Sequence, residues 1–210
     1  MARLLRITKV FRLIGLRRLT RQGGALHSLG WFTTQDRGAA CDGNGNPIPW
    51  ISYPAISFLD GRVNPALEVF EFGSGNSTIW WASRAGRVIS CEHDSGWAER
   101  VRRRVPANVE VLSVPLDDGY PLTIGRTGRS FDIAVIDGRM RVASALASLE
   151  SLKPGGVLIW DDTDRERYQE GIQKLLAAEF RKLDFVGLSP ITATLKQTSV
   201  FYKDENCLGI

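Results

Sequence analysis

Val69-Phe-Glu-Phe-Gly-Ser-Gly-Asn-Ser-Thr78 reads as a short buried strand that breaks into a glycine turn and opens a helix at Ser77 or Thr78. Glycines at 73 and 75 remove the Cβ atoms that would keep a nucleotide-like ligand off the backbone. The helix behind the turn aims its free N–H groups at whatever sits there. Thr78 occupies the place where a pyrophosphate-binding G-x-G-x-x-G carries its third glycine. Glu71, two places before the first glycine, suits a ligand with an ammonium group better than a diphosphate.

The next apolar run, Arg87-Val-Ile-Ser-Cys-Glu-His-Asp94, also ends in an acid, and Glu92 lies 21 residues after Glu71. A carboxylate at the tip of the second strand, roughly 20 residues on, is where nucleotide-binding α/β folds hold ribose hydroxyls. Separately, the glycines could simply make a tight turn and Glu92 could be a solvated strand end. Together and in register, they favour a nucleoside-type cofactor, S-adenosylmethionine rather than NAD.

Two later pieces extend the pattern: Phe131-Asp-Ile-Ala-Val-Ile-Asp-Gly138 and Leu152-Lys-Pro-Gly-Gly-Val-Leu-Ile-Trp-Asp-Asp162. In their order and spacing, the four pieces make the chain resemble the class I S-adenosylmethionine-dependent methyltransferases over roughly residues 65–203. The resemblance implies that Glu71, Gly73, Gly75 and Glu92 contact the cofactor, with Ser74, Asn76 and Ser77 lining it. His93, next to Glu92, is expected to border the adenine.

Of 210 residues, 43% are hydrophobic and 24% charged, which fits a soluble α/β domain with an extension. Cys41, Cys91 and Cys207 form no C-x-x-C pair and suggest reduced thiols in a cytoplasmic protein. With only His27 and His93 present, a His/Cys zinc site is not expected. The net charge of +4 is concentrated in residues 1–24, which hold seven basic residues and no acid. That leaves 20 basic against 23 acidic residues, a net −3, in residues 25–210, so the charge does not imply a nucleic-acid surface.

The leader interleaves its cations with Leu4, Ile7, Phe11 and Ile14 at helical spacing. Such a basic amphipathic helix over residues 1–22 could lie on an anionic membrane or pack on its own domain or a second subunit. No run is long enough to span a membrane, and no secretory signal is evident. Residues 23–49 read as loop, with an exposed turn at Asp42-Gly-Asn-Gly-Asn-Pro47, and a helix follows from about Pro54. Extra residues before the first strand often roof the pocket in this fold, which makes Trp31, Trp50 and Tyr53 candidate substrate walls.

From there the chain alternates. Strands are expected near 68–72, 87–91, 109–114, 131–136, 155–160, 182–188 and 197–203, with helices near 77–85, 95–104, 141–152 and 165–179. The expected architecture is a Rossmann-like, seven-stranded, mostly parallel sheet with helices on both faces, the last strand antiparallel, and a helical N-terminal extension. The chain divides into a leader, loop and cap segment over 1–60 and a cofactor-binding domain over 61–210.

Chemistry is expected from Asp137 and Asp161, with Asp162 beside them, at the tips of the fourth and fifth strands. Three gathered carboxylates need neutralising, and Mg2+ or Ca2+ held by oxygen ligands would do so. The arrangement resembles metal-dependent O-methyltransferases of the catechol and macrolide-sugar type. Their lysine base, three residues after the first metal aspartate, is Met140 here. Arg139 and Arg141 cannot act as bases but could clamp an anionic substrate. Helix capping is the competing reading of Asp161 and Asp162.

The functional expectation is methyl transfer to a hydroxyl of a small molecule such as a sugar, phenol or polyketide. An amine or protein acceptor, aminopropyl transfer, and a non-catalytic binding protein stay open as alternatives. The paired arginines weigh against a polyamine.

Overall fold

The computed structural model describes the backbone of residues 2–210 and the side chains of residues 11–210. Seven strands form one sheet: β1 (Glu68–Phe72), β2 (Arg87–Glu92), β3 (Val109–Ser113), β4 (Phe131–Ile136), β5 (Leu152–Asp161), β6 (Arg181–Gly187) and β7 (Lys196–Tyr202). Their order is β3-β2-β1-β4-β5-β7-β6. The first five pair in parallel, and β7 runs antiparallel to both neighbours.

The helices are α1 (Ala2–Thr20), α2 (Ala25–Ser28), α3 (Trp31–Arg37), α4 (Tyr53–Asp60), α5 (Asn76–Ala82), α6 (Ser95–Arg102), α7 (Thr123–Arg126), α8 (Arg141–Ser148) and α9 (Gln169–Ala177).

Period-two alternation along the buried strands supplies both faces of the sheet. Val69, Val88, Val135 and Ile159 point to a core shared with Leu59 of α4 and Trp80 and Trp81 of α5. Phe70, Phe72, Ile136 and Trp160 point to the other, against Ile124 of α7, Ala145 of α8 and Leu175 of α9. Each fully buried side chain of this size contributes about 1.5–3 kcal/mol.

The chain works outward from β1 to β3 and then restarts at β4 on the other side of β1. That reversal makes the β1/β4 boundary the switch point, where ligands of open α/β sheets bind beyond the strand tips.

Residues 23–49, expected as loop, contain two short helices, α2 and α3, before an Asx turn. In that turn Asp42 Oδ1 accepts the amides of Asn44 and Asn46. The segment is tied to the sheet's antiparallel edge. The Ser52 amide donates to Thr198 Oγ1, and Ser52 Oγ donates to the Phe185 carbonyl. A 3-10 turn (Tyr120–Leu122) and α7 fill a stretch the sequence left unassigned, where Gly119, Pro121 and Gly125 break any periodicity.

The leader is helical, but its apolar residues do not keep to one face. Phe11 and Ile14 are exposed, and so are Leu13 and Leu16, which lie on the opposite side of α1. Leu4 and Ile7 fall outside the residues whose side chains are described. Among the described residues, no helix is long and apolar enough to cross a membrane.

Candidate functional site

The turn after β1 is built from beneath. Gly73 takes φ 90°, and an added Cβ would stand 3.0 Å from Gly138 Cα, so this glycine is required by the close approach of the β1 and β4 tips. Gly75 is different. Its φ of 171° is extended backbone open to any residue, and an added Cβ would meet nothing within 4 Å. Its bareness serves the space above it.

The Gly75 amide donates to Thr78 Oγ1, and Thr78 in turn donates to Glu71 Oε2, which also accepts from Ser90 Oγ. Glu71 is therefore fully buried under the turn, not facing the cavity as expected for an ammonium partner. Its remaining oxygen has no hydrogen-bond partner, and burial pushes its carboxyl up to about 7 against the pull of its hydroxyl donors. A carboxylate two residues before the glycine falls on the α5 side of the strand, beneath the turn.

Glu92, at the tip of β2, does reach the cavity. One oxygen accepts from the Ser74 amide, and the other from the amides of His93 and Asp94, with His93 Nδ1 2.7 Å from it. The carboxylate thus fixes the two loops that form the cavity floor. Trp97, one turn into α6, donates its indole N–H to the Ser74 carbonyl and presents its ring to the same space.

The cavity measures about 460 Å³, and Ser74, Asn76, Ser77 and His93 also line it. Its roof comes from the segment before β1: Ala40, Ile48 and Trp50. Asn76 Nδ2 donates to the Ala40 carbonyl, tying roof to floor. Ile191, from the β6–β7 link, completes the wall at a φ of 68°, an outlier for a β-branched residue. Gln35 Nε2 donates to its carbonyl and Trp31 Nε1 to that of Thr192, so α3 holds the link in place. Tyr53, expected at the substrate wall, instead packs in the core with its hydroxyl unpartnered, and Trp31 acts through this clamp.

The three aspartates at the tips of β4 and β5 do come together, but protein cations neutralise them. Arg141 lies 2.8 Å from Asp137 and 2.9 Å from Asp162, and Lys196 lies 2.6 Å from Asp161 and 3.1 Å from Asp162. Arg165 adds a contact to Asp162 at 2.7 Å. The neutralisation expected from Mg2+ or Ca2+ is thus supplied by side chains. Among the described residues, no group of three or more His, Cys, Asp or Glu is placed to hold a metal ion.

Asp161 is buried, bonded to Thr198 Oγ1 and Lys196, and does not line the cavity, so it cannot act there as expected. Arg141 also donates to the carbonyls of Gly138, Asp137 and Asp161. Its guanidinium is committed to the strand tips by these bonds, at the edge of the cavity. Asp137 alone of the three faces the cavity, with a quarter of its side chain exposed. Removal from water and then repulsion by Asp161 push its carboxyl up to about 8, outweighing the attraction of Arg141 and Lys196.

Residues 70–163 match a family model described as a methyltransferase domain. The match supports a methyltransferase that depends on S-adenosylmethionine.

A methyltransferase-like protein from Silicibacter pomeroyi is similar at 26% identity and a TM-score of 0.52, over 74% of this chain and 89% of that one. The precorrin-6y C5,15-methyltransferase of Geobacter metallireducens shares the fold at 14% identity and a TM-score of 0.58, over 72% and 87% of the two chains. So does the N-methyltransferase NodS of Bradyrhizobium japonicum, seen with S-adenosyl-L-homocysteine, at 15% identity and a TM-score of 0.54 over 71% and 85%. No curated protein matches the chain.

Sequence reasoning missed Trp97, Ile191 and Lys196. Trp97 carried a usable signal, lying just past the Glu92 strand end. The other two depend on which strand β7 joins, and no local pattern states that.

Proposed function

We propose that this methyltransferase transfers a methyl group from S-adenosylmethionine to a hydroxyl of a small molecule, with Asp137 accepting the proton. The observation that carries the reading is that one carboxylate, Asp137, opens onto the same cavity as the bare Gly75 turn and Glu92. The residues present suit the cofactor: uncapped amides behind Gly75, a carboxylate at the tip of β2, and an indole ring beside them. S-adenosylmethionine bound there would supply an electrophilic methyl on a sulfonium.

Asp137 lies at the tip of β4, and its raised proton affinity makes it a stronger base than an exposed aspartate. The roof of Ala40, Ile48 and Trp50 shields the reacting groups from water, and the cavity's size suits a small acceptor.

Asp137→Asn should retain the affinity for S-adenosylhomocysteine and lose roughly 10²–10⁴-fold in turnover, measured across a panel of hydroxylated acceptors. In the wild type, turnover should climb as pH rises through about 8, when the carboxyl gives up its proton. A chelator should leave the rate unchanged, because Arg141 and Lys196 already neutralise the carboxylates. Full activity in Asp137→Asn would reject the assignment.

A further inference from the structure

Beyond the tip of β4 lies a second cavity of about 490 Å³, which shares Gly138, Arg139 and Arg141 with the first. Its other charged lining residues are Arg165 and Arg167, and among the described residues no acid lines it. Asp164 and Glu166, on the same segment as these arginines, are exposed and do not line it. Tyr168 forms one wall, with the Arg167 guanidinium 4.9 Å from its ring centre.

The charges of this region can be counted. Asp137, Asp161 and Asp162 offer at most three negative charges, and each is already paired with Arg141, Lys196 or Arg165. Arg139 and Arg167 are left over, and among the described residues neither has an acid within 4.0 Å. Two uncompensated guanidinia at one concave site call for a doubly charged oxyanion, which their fork of donors is shaped to grip.

The geometry points to an acceptor that carries a phosphate monoester, seated between Arg139 and Arg167, with its hydroxyl reaching across Gly138 to Asp137. This rests on the methyl-transfer reading of the first cavity and adds the chemical class of the acceptor. A carboxylate shares the recognition chemistry but brings one charge, and would leave one guanidinium unmatched.

The test uses the full chain with S-adenosylhomocysteine at low ionic strength, titrated in a calorimeter with inorganic phosphate, phenyl phosphate and benzoate. Inorganic phosphate and phenyl phosphate should bind the wild type. Both should weaken about tenfold or more in the Arg139→Gln, Arg167→Gln double variant, through the lost charge-assisted hydrogen bonds. Arg129→Gln, before the opposite end of β4, should bind as the wild type does, and thermal melts would confirm that both variants fold. Benzoate should bind at least about tenfold more weakly than phenyl phosphate, having one charge fewer. Phosphate that fails to bind the wild type, or binds the double variant equally well, overturns the proposal. Benzoate equal to phenyl phosphate overturns the dianion assignment. Affinity for S-adenosylhomocysteine is recorded separately; its absence in the wild type would break the methyl-transfer reading instead.

Discussion

Glu92 and Asp161 look alike in the sequence, each an acid closing an apolar run, yet the fold treats them oppositely. Glu92 is held by backbone amides and one imidazole at the cavity floor. Asp161 is sealed beneath Lys196 and Thr198, off the cavity wall, within a cluster of paired ions. The difference is set by the neighbouring strand. β2 is flanked by parallel strands whose tips end in open turns, whereas β5 is flanked by antiparallel β7, whose start brings Lys196 over the tip. A carboxylate at a strand tip is a ligand group only if no cation arrives from the next strand.

The largest expected effect comes from undoing that pairing. Lys196→Met removes a cation that lies within 3.1 Å of two buried carboxylates, and urea denaturation should show a loss of about 3–5 kcal/mol. A loss under about 1 kcal/mol would mean that Arg141 and Arg165 suffice alone, and the contrast between the two tips would weaken.

A smaller effect should appear at Glu71, the acid that the sequence assigned to the ligand and the fold put beneath it. Its carboxyl is raised from its ordinary value of 4.5 to about 7, so the folded state binds its proton more tightly than the unfolded chain does. The resulting stability is present in full below pH 4.5 and fades as pH rises through 7, by on the order of 3 kcal/mol at most. Glu71→Gln should flatten this decline in melting temperature between pH 5 and pH 8, without abolishing the turn. An identical pH profile in the variant would show that Glu71 is not the group responsible.

Much of the fold was legible because it rests on local pattern. Alternation marked all seven strands to within a few residues, and the short β6–β7 link signalled the antiparallel pair. The Gly75 turn and Glu92 were legible for the same reason: a strand end, a glycine turn and an acid at fixed spacing. What the sequence concealed depends on partners distant along the chain. Lys196 meets Asp161 from 35 residues away, and Gln35 steadies Ile191 from 156 away. The metal expectation failed at this point. Counting acids near one another registers repulsion but not the cations that another strand delivers.

The proposed site puts the methyl donor against the bare backbone of Gly75. Gly75→Val tests it most directly, because the added side chain meets open space and an extended backbone, so the fold should survive. Calorimetry with S-adenosylhomocysteine should then show affinity falling at least about tenfold, since the new methyl groups occupy volume the ligand needs, while the melting temperature stays close to that of the wild type. Wild-type affinity in Gly75→Val would contradict the claim.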